Sequence, residues 1–296
     1  MRILLVLFTG YFLVVLLAAL AQRHMLYFPD TTPPSSDNLQ PLYGPALEVW
    51  PTTGDPSHRG YVSTETPEDS RSRGTVVVFH GNAGNARDRR HYISALEQRG
   101  YRVVLAEYPG YGGRDGTPGE TTFISDGIET AYFALEAFGG PLWIWGESLG
   151  AGVAAGVAAD KALPVAGVAL ITPWDNLPDL AQALYWYLPA RWLIRDQYDN
   201  RANLKGYPGP VAVLIAERDE IIPPKHARRL YDALPAPKRQ WIFPGAGHNS
   251  WPIDPSASWW DDVSEWLEEK RLPSASFKKE PPSTQEARTA ISRESQ

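Results

Sequence analysis

The chain has 296 residues, 43% hydrophobic and 21% charged, which is enough to bury a large core and excludes a disordered or multi-span membrane protein. Its net charge is −6 without a basic block, and phosphate contact needs clustered Lys and Arg, so nucleic acid is not expected as a partner. With no cysteine, disulfides, thiolate metal sites and cysteine nucleophiles are excluded. The 11 Trp and 27 Pro point to wide loops and aromatic-lined surface.

Ile3 to Ala21 is a run of 19 residues without a charge. As a helix it spans roughly 28 Å, close to the hydrocarbon thickness of a bilayer. Two readings fit it. One is a retained transmembrane anchor over about 1–22. The other is a cleaved signal peptide, because Ala19-Leu20-Ala21 has the small-x-small form of a cleavage site. The run exceeds a usual signal core of 7–15 residues, which favours the anchor. Arg2 and Arg23 flank it and hardly bias its orientation. A large domain after a single anchor is most simply placed outside the cytoplasm.

Residues 23–45 read as a linker rich in Pro, Ser, Thr and Asp. From about 46 to 269, short apolar runs alternate with helical patterns. Strands are expected at Thr75–Phe79, Arg102–Ala106, Leu142–Trp145, Val165–Ile171, Val211–Ala216 and Arg239–Phe243. Helices are expected at Ala86–Gln98, Thr122–Phe138, Ser148–Ala159, Leu180–Trp192, Pro224–Ala233 and Ser256–Glu269. Continuous apolar strands separated by helices mean a mostly parallel sheet covered on both faces, an α/β fold. The polar stretch 270–296, with Pro281-Pro282, reads as a disordered tail.

Gly146-Glu147-Ser148-Leu149-Gly150 fits G-x-S-x-G and lies between an expected strand and an expected helix, the context in which the motif raises a nucleophilic serine on a sharp turn. A serine needs a base to take its proton. Of the six histidines, at 24, 58, 80, 91, 226 and 248, His248 has the suitable setting: a Gly-rich loop, Gly245-Ala246-Gly247-His248, directly after a strand near the end of the fold. His91 and His226 fall inside amphipathic helices as surface or packing residues, and His80 reads as a buttress for its own loop. The orienting acid is Asp219, on the loop after Val211–Ala216, with Glu217 and Glu220 as rivals. The order Ser148, Asp219, His248 differs from those of the chymotrypsin and subtilisin architectures. An oxyanion hole would take the N–H of Leu149 and a second N–H from His80-Gly81-Asn82-Ala83-Gly84-Asn85, assigned to Asn82.

These residues give the chain a resemblance to the α/β-hydrolase superfamily. Together with the apolar segment, Met25-Leu-Tyr-Phe-Pro29, Tyr108-Pro-Gly-Tyr-Gly112 and Glu217-Arg-Asp-Glu-Ile-Ile-Pro223, it is similar to the membrane-anchored serine hydrolases of the BEM46/ABHD-like group, from about Ile3 to Leu267. The resemblance implies an α/β-hydrolase fold, Ser148 as nucleophile, Asp219 as acid and His248 as base. The group that the chain resembles includes proteins acting on acyl-thioesters of lipidated proteins and many members without known substrates. The cysteine-rich N-terminus of the depalmitoylating members is absent. A small lid is expected over about 172–208, and Trp174, Trp186 and Tyr108 are candidate pocket residues. No cofactor or metal is required. The expected activity is therefore hydrolysis of carboxylic esters or thioesters by a membrane-anchored enzyme acting on a small or lipid-like acyl substrate. A peptidase or amidase with the same triad, or a non-catalytic scaffold of the same fold, are the alternatives. Dehalogenases and soluble epoxide hydrolases of this fold need Asp where Ser148 stands.

Overall fold

A computed structural model describes residues 1–40, 44–51, 58–65, 73–235 and 237–272. It begins with the helix α1 (Arg2–Leu26), which is long and apolar enough to cross a membrane. Helix α1 runs four residues beyond the expected anchor. The expected linker holds a short strand β1 (Phe28–Pro29) and one helical turn α2 (Ser36–Leu39). Strands β2 (Leu47–Trp50) and β3 (Gly60–Ser63) follow, then β4 (Thr75–Phe79), β5 (Ala83–Gly84), a 3₁₀ turn at Ala86–Arg89, α3 (Arg90–Glu97) and β6 (Arg102–Ala106). The chain continues through α4 (Glu120–Phe138), β7 (Leu142–Glu147), α5 (Leu149–Ala158) and β8 (Val165–Ile171). Three short helices come next: α6 (Leu177–Leu184), α7 (Ala190–Leu193) and α8 (Asn200–Leu204). The last elements are β9 (Val211–Ala216), α9 (Pro224–Ala233), β10 (Lys238–Phe243) and α10 (Trp259–Lys270).

Eight strands form one sheet in the order β10-β9-β8-β7-β4-β6-β3-β2. All its pairings are parallel except those of β3 with β2 and β6. The chain starts near one edge, jumps to the centre at β4 and builds outward, so β4 and β7 lie side by side in the middle. Their carboxyl ends carry the two Gly-rich loops. Every residue of β4, β6 and β9 is buried, as expected for strands covered on both faces. One core layer packs α4 and α5 on the sheet; the other packs α3 and α10.

Helix α5 has seven Gly or Ala among its ten residues, and all ten are buried. Small side chains let it lie close against the sheet. Many of the tryptophans are also internal, contrary to the aromatic-lined surface that composition suggested. Trp145, Trp251, Trp259 and Trp260 are buried together under α10, with Trp259 and Trp260 stacked at 3.9 Å. Trp186 and Trp192 are the strongly exposed exceptions.

The single helix expected over Leu180–Trp192 is broken. Helix α6 ends at Leu184 and α7 begins at Ala190, after Pro189. A proline disfavours helical backbone in the residue before it and cannot donate the next helical hydrogen bond, so two short helices replace one long one. Of the expected tail, 273–296 lie outside the described residues.

Candidate active site

Strand β7 delivers Glu147 to the edge of the sheet, and the chain reverses into α5 at Ser148. Ser148 has φ 54° and ψ −114°, a conformation that costs a non-glycine residue about 1–3 kcal/mol. The crossing explains both flanking glycines. A Cβ at Gly146 would lie 2.2 Å from the Gly150 carbonyl oxygen, and one at Gly150 would lie 2.0 Å from that of Phe79. No side chain fits at either place. The turn is held by Ser148 N–H donating to the Ile171 carbonyl at 2.9 Å.

Three loops at this edge bring the expected residues together. His248 Nε2 lies 3.0 Å from Ser148 Oγ, and His248 Nδ1 lies 2.8 Å from Asp219 Oδ2. All three residues are nearly buried. The second oxygen of Asp219 accepts from the N–H groups of Ile221 at 3.0 Å and Ile222 at 2.7 Å, so the carboxylate is fixed at both ends. The rival acids have a different place. Glu220 accepts from the His248 N–H at 3.1 Å, and Glu217 accepts from the Gly245 N–H at 2.8 Å. Both pin the loop that carries His248. The N–H groups of Glu220 itself and of His248 hold the Glu220 carboxyl below its usual range.

Asn82 and Leu149 both border the same cavity, beside Gly81 and Ser148. Asn82 is tied on several sides. Its side-chain amide donates to the Leu26 carbonyl at 3.0 Å, and its own carbonyl accepts from Phe28 N–H at 3.0 Å and Tyr111 Oη at 2.8 Å. The adjoining residues Ala83 and Gly84 pair with Phe28 and Pro29 as a two-stranded ribbon. Below the loop, His80 is buried with Nε2 3.1 Å from Glu107 Oε1, the position of a buttress.

The cavity measures about 500 Å³. Trp174 lines it, with its indole N–H donating to the Tyr198 carbonyl at 3.1 Å. Two expected pocket residues do not. Tyr108 is fully buried beneath the loop, stacked on Phe123 at 4.3 Å with its hydroxyl on the His80 carbonyl. Trp186 is 78% exposed and stands outside, because α6 ends at Leu184 and Tyr185 takes the inward position. Sequence reasoning missed most of the lining. Leu177, Leu180 and Leu184 of α6 contribute, as do Ala18, Gln22, Met25 and Leu26 of α1. The i, i+3, i+4 spacing on α6 was a usable signal; α1 is apolar on every face and gave none.

One ion pair sits beside the serine. Arg89 Nη2 lies 3.2 Å from Glu147 Oε1, and Tyr92 Oη donates to Glu147 Oε2 at 3.2 Å. Burial pushes the Tyr92 hydroxyl far up, so it stays a donor. A second His–Asp pair, His226 with Asp175 at 2.7 Å, is wholly buried and does not border the cavity.

The family model for the alpha/beta hydrolase fold matches residues 74–206. The uncharacterized protein Rv2307c of Mycobacterium tuberculosis is 34% identical over 237 residues, covering 77% of this chain and 80% of that protein. The chain belongs to the α/β-hydrolase family. The lysophosphatidylserine lipase ABHD12 of Danio rerio is 29% identical over 217 residues, covering 66% of this chain and 57% of the relative. This chain therefore spans little more than half of that lipase. Among solved structures, the Pyrococcus furiosus esterase Pf2001 superposes with a TM-score of 0.58 at 18% identity, covering 82% of this chain and 99% of that one. A monoacylglycerol lipase of Paleococcus ferrophilus gives 0.51 at 23% identity, covering 67% and 95%. At these identities the two structures establish the fold alone.

Proposed function

We propose that this α/β hydrolase is a membrane-anchored serine hydrolase that cleaves carboxylic esters or thioesters of lipid-like acyl groups. The observation that carries the reading is the relay from Ser148 Oγ through His248 to Asp219, with Ser148 and His248 bordering a mostly apolar cavity. Ser148 Oγ attacks the acyl carbon while its proton passes to His248 Nε2. Asp219 holds His248 Nδ1–H and so sets the tautomer that leaves Nε2 free to accept. The tetrahedral oxyanion is stabilised by the N–H groups of Leu149 and Asn82, each worth about 3–4 kcal/mol. The bond to the leaving group then breaks, and the leaving oxygen or sulfur takes the proton from His248. Water adds to the acyl-enzyme with His248 again as base, releasing the carboxylic acid and restoring Ser148. Esters are favoured over amides by the lysophosphatidylserine lipase among the sequence relatives. The test is turnover of p-nitrophenyl esters across chain lengths: the wild type hydrolyses them and Ser148→Ala does not. Equal turnover by both would refute the proposal.

A further inference from the structure

Helix α1 does more in this fold than tether it. Ala18, Gln22, Met25 and Leu26 lie on one face of the helix and border the cavity that holds Ser148 and His248. From Ala18 to Met25 the helix rises roughly 10 Å. Leu26 lies by the serine, since its carbonyl accepts from the Asn82 side chain, and Ala18 stands roughly 12 Å back along the helix, inside the charge-free run Ile3–Ala21, so the cavity reaches the apolar, membrane-competent segment. The polar groups Arg89, Glu147 and Asn249 border the same cavity as Ser148, and Leu177, Leu180, Leu184 and Leu188 add apolar lining to that of α1.

The helix is held in register there. The Gln22 side chain donates to the Leu193 carbonyl at 3.1 Å and to the Ala19 carbonyl of its own helix at 2.7 Å, and it accepts from Arg195 N–H at 2.7 Å, which ties α1 to α7 and the residues just beyond it. Tyr27 Oη donates to Asp196 Oδ2 at 3.0 Å. Tyr11, halfway along the apolar run, donates to the Tyr187 carbonyl at 3.0 Å. That bond sets the outer edge of the lid beside the membrane segment, and the side chains exposed at this edge, Trp186 and Trp192, are those enriched where a protein meets a bilayer. A cavity of about 500 Å³ has room for one acyl chain and its ester.

We propose that α1 forms one wall of the acyl-chain site, with Ala18 setting its depth, and that the enzyme takes single-chain acyl esters directly from the bilayer in which α1 lies. This rests on the serine-hydrolase reading above. The test uses the full chain in lipid nanodiscs, with p-nitrophenyl butyrate, a C16 monoacyl glycerol ester and a diacyl phospholipid as substrates. Ala18→Trp should lower the C16-to-butyrate ratio of kcat/KM at least 10-fold, with Ala18→Leu intermediate. Leu17→Trp, on the exposed face of the same helix, should leave that ratio within twofold. The diacyl lipid should turn over at least 10-fold more slowly than the monoacyl ester. An unchanged C16-to-butyrate ratio in Ala18→Trp, an equal loss in Leu17→Trp, or equal use of diacyl lipid would overturn the proposal while leaving the hydrolase reading intact. Failure to turn over any of these esters would instead strike at the hydrolase reading.

Discussion

The Gly150→Ala substitution adds one methyl group at the tightest point of the fold. The new Cβ would lie 2.0 Å from the Phe79 carbonyl oxygen, 2.5 Å from its carbon and 2.7 Å from the His80 carbonyl oxygen. All three are main-chain atoms at the end of β4, so no rotamer relieves the clash. Either α5 lifts away from the sheet or β4 bends. Overpacking a core usually costs 1–3 kcal/mol, and a contact this short against fixed backbone puts the cost at about 3 kcal/mol or more. At about 2–4 °C per kcal/mol for a domain of this size, the melting temperature should fall by roughly 6–12 °C. Turnover should fall as well, because the same shift moves Leu149 N–H and Ser148 Oγ apart from the Asn82 loop. Gly206→Ala is the internal control. Nothing lies within 4 Å of its Cβ position, so it should melt within a degree or two of the wild type. Thermal unfolding followed by circular dichroism, with ester turnover on the same samples, makes the comparison. A Gly150→Ala protein that melts within about 2 °C of the wild type and retains full turnover would refute the steric account of the turn.

Three further outcomes are expected. Asp219→Asn keeps the size of the side chain but no longer enforces the tautomer of His248, so kcat should fall about 10⁴-fold with little change in melting temperature; a loss under tenfold would deny Asp219 its role. Asn82→Ala removes the side-chain hydrogen bond to the Leu26 carbonyl and keeps the backbone N–H, so kcat should fall by less than about tenfold; a loss of 10³ would show that the side chain itself acts on the substrate. Burial raises the Glu97 carboxyl to about 7 from an unfolded value of 4.5, against the opposing pull of Arg102. The folded state then holds more protons than the unfolded state between those values, so stability should fall as pH rises from about 4.5 to about 7 and level off above. Denaturant titrations at pH 5, 6 and 8 should show that decline reduced in Glu97→Gln; an identical slope in the variant would remove Glu97 as its source.

The central strands and the serine turn were legible in the sequence because their physics is local. A strand buried on both faces must be a continuous apolar run, as in Thr75–Phe79, and a turn crowded to 2 Å admits only glycine at Gly146 and Gly150. Strands β2 and β3 were not read, being four residues each and defined by the pairing of β3 with β6 and with the edge strand β2 rather than by composition. Side-chain destinations were least legible. Tyr108 and Trp186 sit on loops at the right edge of the sheet, yet one is folded under the His80 loop and the other faces outward, outcomes set by Phe123 and by the break before Pro189. His226 shows the same limit: its helix is strongly amphipathic, but only the fold reveals that Asp175 meets it in the interior.

The central claim is that Ser148 is an activated nucleophile, and covalent capture tests it most directly. The full chain in detergent should be treated with a fluorophosphonate, and the adduct located by intact mass and peptide mapping. One adduct per chain should form on Ser148, absent in Ser148→Ala and slowed by orders of magnitude in His248→Ala. A folded wild type that takes no label, or takes it on another residue, would contradict the account.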